Sequence, residues 1–573
     1  MAHTTSLRHT IDAMTYANQA DIRDQLVATA ALSEDDRARI CSNAAALVSD
    51  IRGHSAPGLM EVFLAEYGLS TDEGVALMCL AEALLRVPDA ETIDALIEDK
   101  IAPSNWGKHL GKSSSSLVNA STWALMLTGK VLDEERSPVG ALRGAIKRMG
   151  EPVIRTAVSR AMKEMGRQFV LGENINSAMK RASGMEAKGY TYSYDMLGEA
   201  ARTEADAARY HLSYSRAISA IADGCTSDDI RENPGISVKL SALHPRYELA
   251  QETSVMEQLV PRLRALALLA KAAGMGLNVD AEEADRLSLS LEVIETVLAS
   301  PALEGWDGFG VVVQAYAPRA GLALDALYDI AERHDRKIMV RLVKGAYWDT
   351  EIKRAQEMGI DGFPVFTSKP LTDVSYIANA RKLLGMTDRI YPQFATHNAH
   401  TVNAILHMAQ DGQPFEFQRL HGMGETLHQM VLEQNKTNCR IYAPVGAHHD
   451  LLAYLVRRLL ENGANSSFVN QIVDEDVSPE VVAADPFDMV SDVSRTIATG
   501  PELFEPERVN SKGFDLAHAP ALDRIEQARA PWANHSWSAA PLLAKDAVPQ
   551  ASEDVTNPSD LTPVGQVETS SET

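Results

Sequence analysis

Two adjacent arginines lie in the amphipathic segment from Leu451 to Gly463 (LLAYLVRRLLENG). The polar positions of this segment recur at i, i+3, i+4 and i+7, which places them on one helical face: Tyr454, Arg457, Arg458 and Glu461. Two guanidinium groups held side by side in an apolar frame can bind a carboxylate bidentately, and partial desolvation strengthens that contact. Alternatively, both arginines form salt bridges with Glu461 or another acidic residue on a solvated face.

A lysine, Lys239, interrupts an apolar run that is typical of a strand (ISVKLSAL). A buried lysine either pairs with an acid or has a depressed pKa and forms a Schiff base. Asp280, at the end of the next predicted strand, is the natural partner because adjacent barrel strands place their ends side by side. The pairing keeps the lysine charged and disfavours imine chemistry. An aldolase-type barrel that uses Lys239 as a Schiff-base amine is the alternative enzyme class.

Histidine and acidic residues also form clusters of the kind that bind metals. These clusters are His397/His400, His448/His449/Asp450 and Asp280/Glu282/Glu283/Asp285. None has a zinc spacing with cysteine and no HExxH motif occurs, so we expect no metal, with a metal-dependent barrel hydrolase as a further alternative. No GxGxxG follows a strand and no GxxxxGK[ST] occurs, so neither a Rossmann nor a P-loop site is indicated.

The elements that position these residues are eight short β-rich runs separated by helical segments. The runs cover residues 190–197, 235–243, 276–282, 309–316, 337–343, 390–397, 414–421 and 439–445. Their mean repeat of about 36 residues predicts a (β/α)8 barrel, in which working residues lie at the carboxyl ends of the strands. Those ends carry Asp195, Lys239, Asp280 with Glu282, Gln314, Arg341, His397, His421 and Tyr442. The longest gap, between the fifth and sixth runs, leaves room for an insertion around residues 363–370.

Residues before the barrel have the apolar spacing of helices, with capping-box signals at Ser33 before Asp36 and at Ser70 before Glu73. At the other end, residues 546–573 contain six acids and neither basic nor aromatic residues. Such a segment offers little apolar surface to offset its ordering entropy, so we expect a disordered tail.

The composition is that of a globular protein, with 45% hydrophobic and 23% charged residues among 573. A formal charge of −24 repels phosphate backbones, so we expect no nucleic acid partner. The four cysteines, which form no CxxC pair, suit a reducing compartment. The sequence has neither a signal-peptide h-region nor a stretch of about 18 uncharged apolar residues, so the cytoplasm is the predicted location.

Several strings then follow one another in a recognisable order: SYDMLGEAA, GISVKLSALHPRYE, NVDAEEADRL, RLVKGAYWDTEIKRAQ, YPQFATHNAHT, FEFQRLHGMGE and RIYAPVGAHHDLLAYLVRRLLENGANSSFVNQI. Looser elements, GVALMCLAEALLR and the NW, SSS, VNASTW and GK strings of residues 101–130, precede them. Together they resemble the flavin-dependent proline dehydrogenase domain of bacterial proline utilisation A (PutA) proteins. The resemblance implies a distorted (β/α)8 barrel that holds non-covalent FAD, preceded by a helical arm and a helical domain.

Together with the composition of the tail, the resemblance implies the following domains: an N-terminal arm at 1–30, a helical domain at 31–140, a helical linker at 141–185, the FAD-binding barrel at 186–475, its C-terminal extension at 476–535 and the acidic, disordered tail at 536–573. It also implies oxidation of L-proline to Δ1-pyrroline-5-carboxylate, with hydride passing from ring C5 to flavin N5 and electrons leaving to membrane quinone. A location in the cytoplasm, with peripheral contact at the inner membrane, fits that role.

The same resemblance implies roles for the residues. Arg457 and Arg458 hold the proline carboxylate, while Glu461 ties their helix to the flavin site. Lys239 and Asp280 form an ion pair beside the substrate, and Asp280 also reaches the cofactor. The ring pocket is shaped by Tyr442, Leu420 and Tyr347. Arg341 lies by flavin N5, where a cation stabilises arriving negative charge. The remaining flavin-contacting positions are Gln314, Val343, Gly345, Trp348, Thr367, Lys369, Thr396, His397, Asn398 and Gln418.

Two departures from the family pattern shape the expectations. Longer members begin with a basic ribbon-helix-helix segment, which is not seen here, so no DNA-binding role is expected. The string VTNPSDLTPVGQVETSSE resembles the opening of the aldehyde dehydrogenase domain that follows in this family. We therefore expect a truncated piece of a bifunctional enzyme, which forms no NADH from NAD and pyrroline-5-carboxylate. The non-enzyme alternative is a scaffold or regulatory module that binds through its N-terminal helices.

Overall fold

In the computed structural model the eight predicted runs form eight parallel strands that close into a barrel in chain order. The strands are β1 Tyr190–Met196, β2 Gly235–Val238, β3 Leu277–Val279, β4 Phe309–Gln314, β5 Ile338–Val343, β6 Ile390–Ala395, β7 Glu416–Leu420 and β8 Asn438–Val445. The first and last strands close the ring, pairing from Tyr190 with Cys439 to Met196 with Val445. The predicted barrel is thus confirmed.

The structure describes residues 2–54, 92, 170–446, 471–472, 474, 476–490, 497–542 and 551–570. Most of the predicted helical domain and linker, including the signal at Ser70, lies outside these residues. The chain forms two units, Met1–Gly513 and Phe514–Thr573. Their boundary differs from the predicted end of the barrel extension near residue 535.

Helices precede and connect the strands. The described α-helices of the first unit are α1 Ala2–Ala13, α2 Gln19–Ala30, α3 Glu34–His54, α4 Ile175–Glu186, α5 Glu204–Ile221, α6 Glu252–Ala272, α7 Leu287–Leu298, α8 Ala320–Arg333, α9 Trp348–Glu357, α10 Lys369–Leu384, α11 Ala399–Met408, α12 Glu425–Asn435, α13 Pro479–Val482 and α14 Pro486–Met489. Two helices, α9 and α10, lie between β5 and β6, where the sequence predicts an insertion. Among the described helices, none is long and apolar enough to cross a membrane.

Alternation along the strands separates a polar barrel interior from an apolar exterior. In β1, Tyr190, Tyr192 and Tyr194 belong to the main hydrophobic core. Ser193 and Asp195, on the other face, bond to Ser237 of β2 and to Lys239 just after it. This is the period-two pattern of a strand with two different buried faces.

The N-terminal helices pack on the outside of the barrel. The predicted capping box begins α3, because the Asp36 amide donates to Ser33 Oγ at 3.1 Å and the Ser33 amide donates to Asp36 Oδ2 at 3.1 Å. Helix α2 packs against α10, and α3 against α11. The buried Arg319 of the barrel donates to Thr15 Oγ1 at 2.9 Å. The N-terminal helices therefore contact the barrel and two of its outer helices.

The second unit corrects the prediction of a disordered tail. It contains α15 Ala519–Arg529 and the strands β9 Trp537–Ala539, β10 Ala551–Thr556 and β11 Pro563–Thr569, which form one sheet in the order β10-β11-β9. Tail acids take part in it, since Thr562 N donates to Asp560 Oδ1 at 3.0 Å in the turn and Gln566 Nε2 donates to Asp554 Oδ1 at 3.0 Å. Composition does not predict the β10–β11 hairpin, because local hydrogen bonds contribute more to it than burial does.

Candidate active site

The carboxyl ends of four barrel strands bring four ionisable side chains together. Lys239 and Asp280 are the first residues after β2 and β3, respectively. Both strands are therefore shorter than the runs predicted from the sequence. Lys239 Nζ donates to Asp195 Oδ1 at 2.7 Å and to Asp280 Oδ2 at 3.2 Å. Tyr442 Oη donates to Asp280 Oδ2 at 2.8 Å and accepts from Lys239 Nζ at 3.3 Å. The predicted Lys239–Asp280 pair is confirmed.

Arg341 of β5 reaches the same group from across the barrel. Its Nη1 lies 3.0 Å from Asp280 Oδ1, and its Cζ lies 5.1 Å from the centre of the Tyr442 ring. Asp280 therefore accepts from a lysine, a tyrosine and an arginine at once. Two carboxylates face two cations, so the cluster is balanced in charge.

Electrostatics fix the charge state of Lys239. Burial alone lowers the pKa of its amine, but the negative charges of Asp195 and Asp280 overcome this effect and raise that pKa well above its usual value. Burial raises the pKa of Asp195, and Lys239 opposes the rise. Burial, followed by the nearby carboxylates, raises the pKa of the Tyr442 phenol well above its ordinary range. A lysine held charged in this way is unsuited to forming an imine.

A second polar layer lies deeper in the barrel. Gln418 accepts from Arg341 Nε at 2.6 Å through Oε1, and its Nε2 donates to Glu416 Oε1 at 2.7 Å. Glu416 also accepts from Arg440 Nε at 2.8 Å and from Gln393 Nε2 at 2.9 Å. Glu416 is fully buried, and Gln393, Gln418 and Arg440 all donate to its carboxyl oxygens. These contacts fix which end of each amide faces Glu416.

The residues predicted to contact the flavin lie on the later strand ends and on the loops that follow them. Gln314 ends β4 and Val343 ends β5, while Trp348 and Lys369 begin α9 and α10. Trp348 Nε1 donates to the Phe366 carbonyl at 2.8 Å.

On the β6 side, His397 Nε2 accepts from the Leu420 amide at 3.0 Å. The Asn398 side chain caps α11 by accepting from Thr401 N at 3.0 Å through Oδ1. The backbone N–H of Asn398 donates to Thr396 Oγ1 at 3.2 Å. These bonds hold the predicted contacts of this loop in fixed positions.

Gly345, in the loop after β5, has a φ of +129°. A Cβ at this position would lie 2.4 Å from the Tyr316 ring. Only glycine fits here without displacing that ring. The loop therefore passes close to buried Tyr316 at the barrel mouth.

Comparison with known proteins decides the family. The family model described as proline dehydrogenase matches residues 178–471. The chain belongs to the proline dehydrogenase family. A second family model, described as the DNA-binding domain of proline dehydrogenase, matches residues 59–169.

Relatives of the proline dehydrogenase family cover most of the chain. The bifunctional protein PutA of Salmonella typhimurium is 50% identical over 523 residues, which is 88% of this chain and 40% of that protein. Proline dehydrogenase 1 of Bacillus subtilis is 28% identical over 307 residues, which is 53% of this chain and 88% of that protein. A crystal structure of a PutA variant from Bradyrhizobium japonicum is 48% identical with a TM-score of 0.71, covering 90% of this chain and 53% of that chain. The chain thus spans less than half the length of the curated PutA relatives it matches.

The second match is partly at odds with the prediction that no DNA-binding segment is present. That prediction relied on the net charge and on the missing ribbon-helix-helix pattern. Net charge averages over the whole chain, whereas the stretch from Arg143 to Arg167 holds seven basic and two acidic residues. Apart from Thr92, the matched segment lies outside the described residues.

Leu420 and Tyr347, the predicted ring-pocket residues, lie at the end of β7 and just before α9. Arg457, Arg458 and Glu461, predicted to bind substrate and tie its helix to the site, lie outside the described residues. The cluster His448/His449/Asp450 does too. Within the described part of the chain, no group of three or more histidine, cysteine, aspartate or glutamate side chains could hold a metal ion.

Sequence reasoning gave no role to several interior residues of this proline dehydrogenase barrel. The sequence marks Asp195 only as a strand end, although Asp195 makes the shorter bond to Lys239. Ser193, Ser237 and Glu416 were not singled out. The available signal was polar residues at alternate positions of strands that are otherwise apolar.

Proposed function

We propose that this barrel is a flavin-dependent proline dehydrogenase, which oxidises L-proline to Δ1-pyrroline-5-carboxylate. The observation that carries the proposal is the cluster of Asp195, Lys239, Asp280, Arg341 and Tyr442 at the barrel mouth of a chain in this family. A charged lysine in such a cluster argues against Schiff-base chemistry.

The residues present fit FAD as the cofactor. The guanidinium of Arg341 has five N–H groups, and four have acceptors among the described residues. The fifth is a charged donor that remains for a ligand. Reduced flavin carries negative charge near N5, which such a donor stabilises. The residues proposed to hold FAD are Asp280, Gln314, Arg341, Val343, Gly345, Trp348, Thr367, Lys369, Thr396, His397, Asn398, Gln418 and Glu461.

Bound flavin supplies a hydride acceptor for proline C5. Arg457 and Arg458 bind the proline carboxylate through charge-assisted hydrogen bonds. Leu420, Tyr347 and Tyr442 pack around the pyrrolidine ring and exclude water.

Lys239, Asp280 and Arg341 supply a fixed arrangement of charges. Because these groups already bond to one another, little reorganisation is needed when charge shifts during the reaction.

Membrane quinone is the proposed electron acceptor, with the protein in the cytoplasm or at the inner-membrane surface. The PutA relatives are named bifunctional proteins, which supports an aldehyde dehydrogenase domain as the partner of this domain in a longer protein. Both statements rest on family likeness.

The visible spectrum of the purified protein tests the proposal. We expect a yellow protein whose flavin absorption bleaches when L-proline is added without oxygen, with pyrroline-5-carboxylate detected by its imine reactivity. D-proline is the control: if the site binds the carboxylate in one orientation, D-proline should not bleach the flavin. A colourless protein to which added FAD does not bind, or borohydride trapping of a carbonyl substrate on Lys239, would refute it.

A further inference from the structure

We propose that Ser193 and Ser237 form a positioning pair that sets the plane of the Arg341 guanidinium in the active site. The inference rests on the proposed function and assigns roles to two residues below the charged cluster. Ser193 Oγ and Ser237 Oγ are 3.0 Å apart and hydrogen bonded to each other. Both side chains are fully buried.

Each serine accepts from a different nitrogen of Arg341. Nη2 donates to Ser193 Oγ at 3.1 Å and Nη1 donates to Ser237 Oγ at 3.1 Å. The two hydroxyls therefore bridge the two outer nitrogens of one guanidinium. Because they also bond to each other, neither can move without affecting the other contact.

The count of donors shows what this arrangement fixes. Nε donates to Gln418, and Nη1 donates to both Ser237 and Asp280. Nη2 donates to Ser193, so one N–H of Nη2 is the only Arg341 donor without an acceptor among the described residues. Its direction follows from the guanidinium plane.

Hydroxyl acceptors suit this position because they are neutral. A further carboxylate beside Arg341 would cancel the charge that stabilises negative charge near flavin N5. Asp280, the one charged acceptor of Arg341, is already shared with Lys239 and Tyr442. The serines thus orient the cation and leave its charge in place.

The Nε edge of the Arg341 guanidinium is oriented by Gln418. Glu416 accepts from Arg440 and from Gln418 Nε2, so the Gln418 amide directs its Oε1 toward Arg341. With Gln418 on Nε and the serines on both outer nitrogens, rotation of the plane requires breaking several bonds together.

The strand pairing explains why these two residues meet. Ser193 pairs with Gly235 in the β1–β2 ladder, and Ser237 lies two residues further along β2. Both side chains point into the barrel, where Gly235 adds no side chain. The short serine side chains leave space for the long Arg341 to cross from β5.

The experiment compares Ser193→Ala, Ser237→Ala and the double variant with the unmodified protein. We expect unchanged flavin content and proline KM, but a rate of flavin reduction by proline about tenfold lower in the double variant, since both hydroxyl acceptors of the guanidinium are lost. Ser375→Ala is the matched control, because Ser375 is a buried serine that bonds to the Ala315 carbonyl and not to Arg341.

The Arg341→Lys background separates a positioning role from a merely structural one. If the serines act through the guanidinium, their removal should change the rate little in that background. Equal losses in both backgrounds, an unchanged rate in the double variant, or the same loss in Ser375→Ala would overturn the inference.

A crystal structure of the double variant tests the geometry independently of activity. We expect the Arg341 plane to rotate, and an unmoved plane would refute the positioning role. If the unmodified protein bound no flavin, the proposed function would fail on its own, while the structure would still decide whether the serines orient Arg341.

Discussion

Gln19 and Thr367 exchange hydrogen bonds although 348 residues separate them in the chain. Gln19 Nε2 donates to Thr367 Oγ1 at 3.1 Å, and the Thr367 amide donates to Gln19 Oε1 at 3.1 Å. Gln19 begins α2, and Thr367 is two residues before the start of α10. The N-terminal arm therefore holds a loop that we propose contacts FAD.

Replacing Gln19 with alanine should weaken flavin retention. The variant loses both bonds to Thr367, so we expect FAD affinity to fall by roughly fivefold, corresponding to about 1 kcal/mol. The FAD-to-protein ratio after dialysis against a dilution series of FAD measures this. Gln25→Ala, at an exposed position of the same helix, is the control. Equal retention in the two variants would contradict the role of Gln19.

Replacing Lys239 with methionine should lower turnover far more than flavin content. The variant leaves Asp195 buried without its cation, and it removes a preorganised charge beside the substrate, so we expect a loss in kcat of about 100-fold. Flavin absorbance of the purified variant and steady-state rates give the two quantities. Lys239→Arg, which retains the charge, should be less impaired. Loss of flavin alone would mean that Lys239 belongs to the cofactor site and not to the substrate site.

Replacing Arg458 with methionine should weaken proline binding. Loss of a charge-assisted contact to the carboxylate is worth roughly 1.5 to 3 kcal/mol, so we expect KM to rise by roughly 10- to 150-fold. Steady-state kinetics over a wide proline range measure this. Arg458→Lys keeps the charge but loses the planar guanidinium. Its KM should therefore lie between those of the unmodified protein and Arg458→Met. An unchanged KM would exclude Arg458 from the carboxylate site.

Glu351 should make stability depend on pH. It is buried, accepts from the Ala284 amide at 2.6 Å, and burial raises its pKa to about 7. A carboxyl group whose pKa is raised in the folded state stabilises the fold below its ordinary pKa, and this contribution is lost as the pH rises through about 7. Between pH 5 and pH 8 the unfolding free energy should fall by up to about 3 kcal/mol from this residue.

Glu351→Gln removes the titration but keeps an oxygen acceptor for Ala284. Urea unfolding at pH 5 and pH 8 should therefore show a smaller loss of stability in the variant than in the unmodified protein. Glu282, whose pKa burial also raises to about 7, is present in both proteins and cancels in the comparison. Parallel pH profiles would show that Glu351 does not titrate in this range.

The sequence predicts the barrel well because each strand is a short apolar run bounded by helical segments. It also predicts the Lys239–Asp280 pair, since both residues end neighbouring strands. It does not reveal that Asp195 is the nearer partner of Lys239, because the register between β1 and β2 depends on packing of the closed ring. The bond from Arg341 to Asp280 crosses the barrel interior, which local patterns do not report.

Closure of the ring by β1 and β8 joins segments about 250 residues apart, so the barrel has many contacts of high sequence separation and should fold slowly. Asp195 belongs to the first of these strands and Tyr442 to the last. A nascent chain that has left the ribosome only as far as β7 thus holds Lys239 and Asp280 without Tyr442. The proposed substrate site is therefore complete only after the eighth strand has emerged and docked against the first.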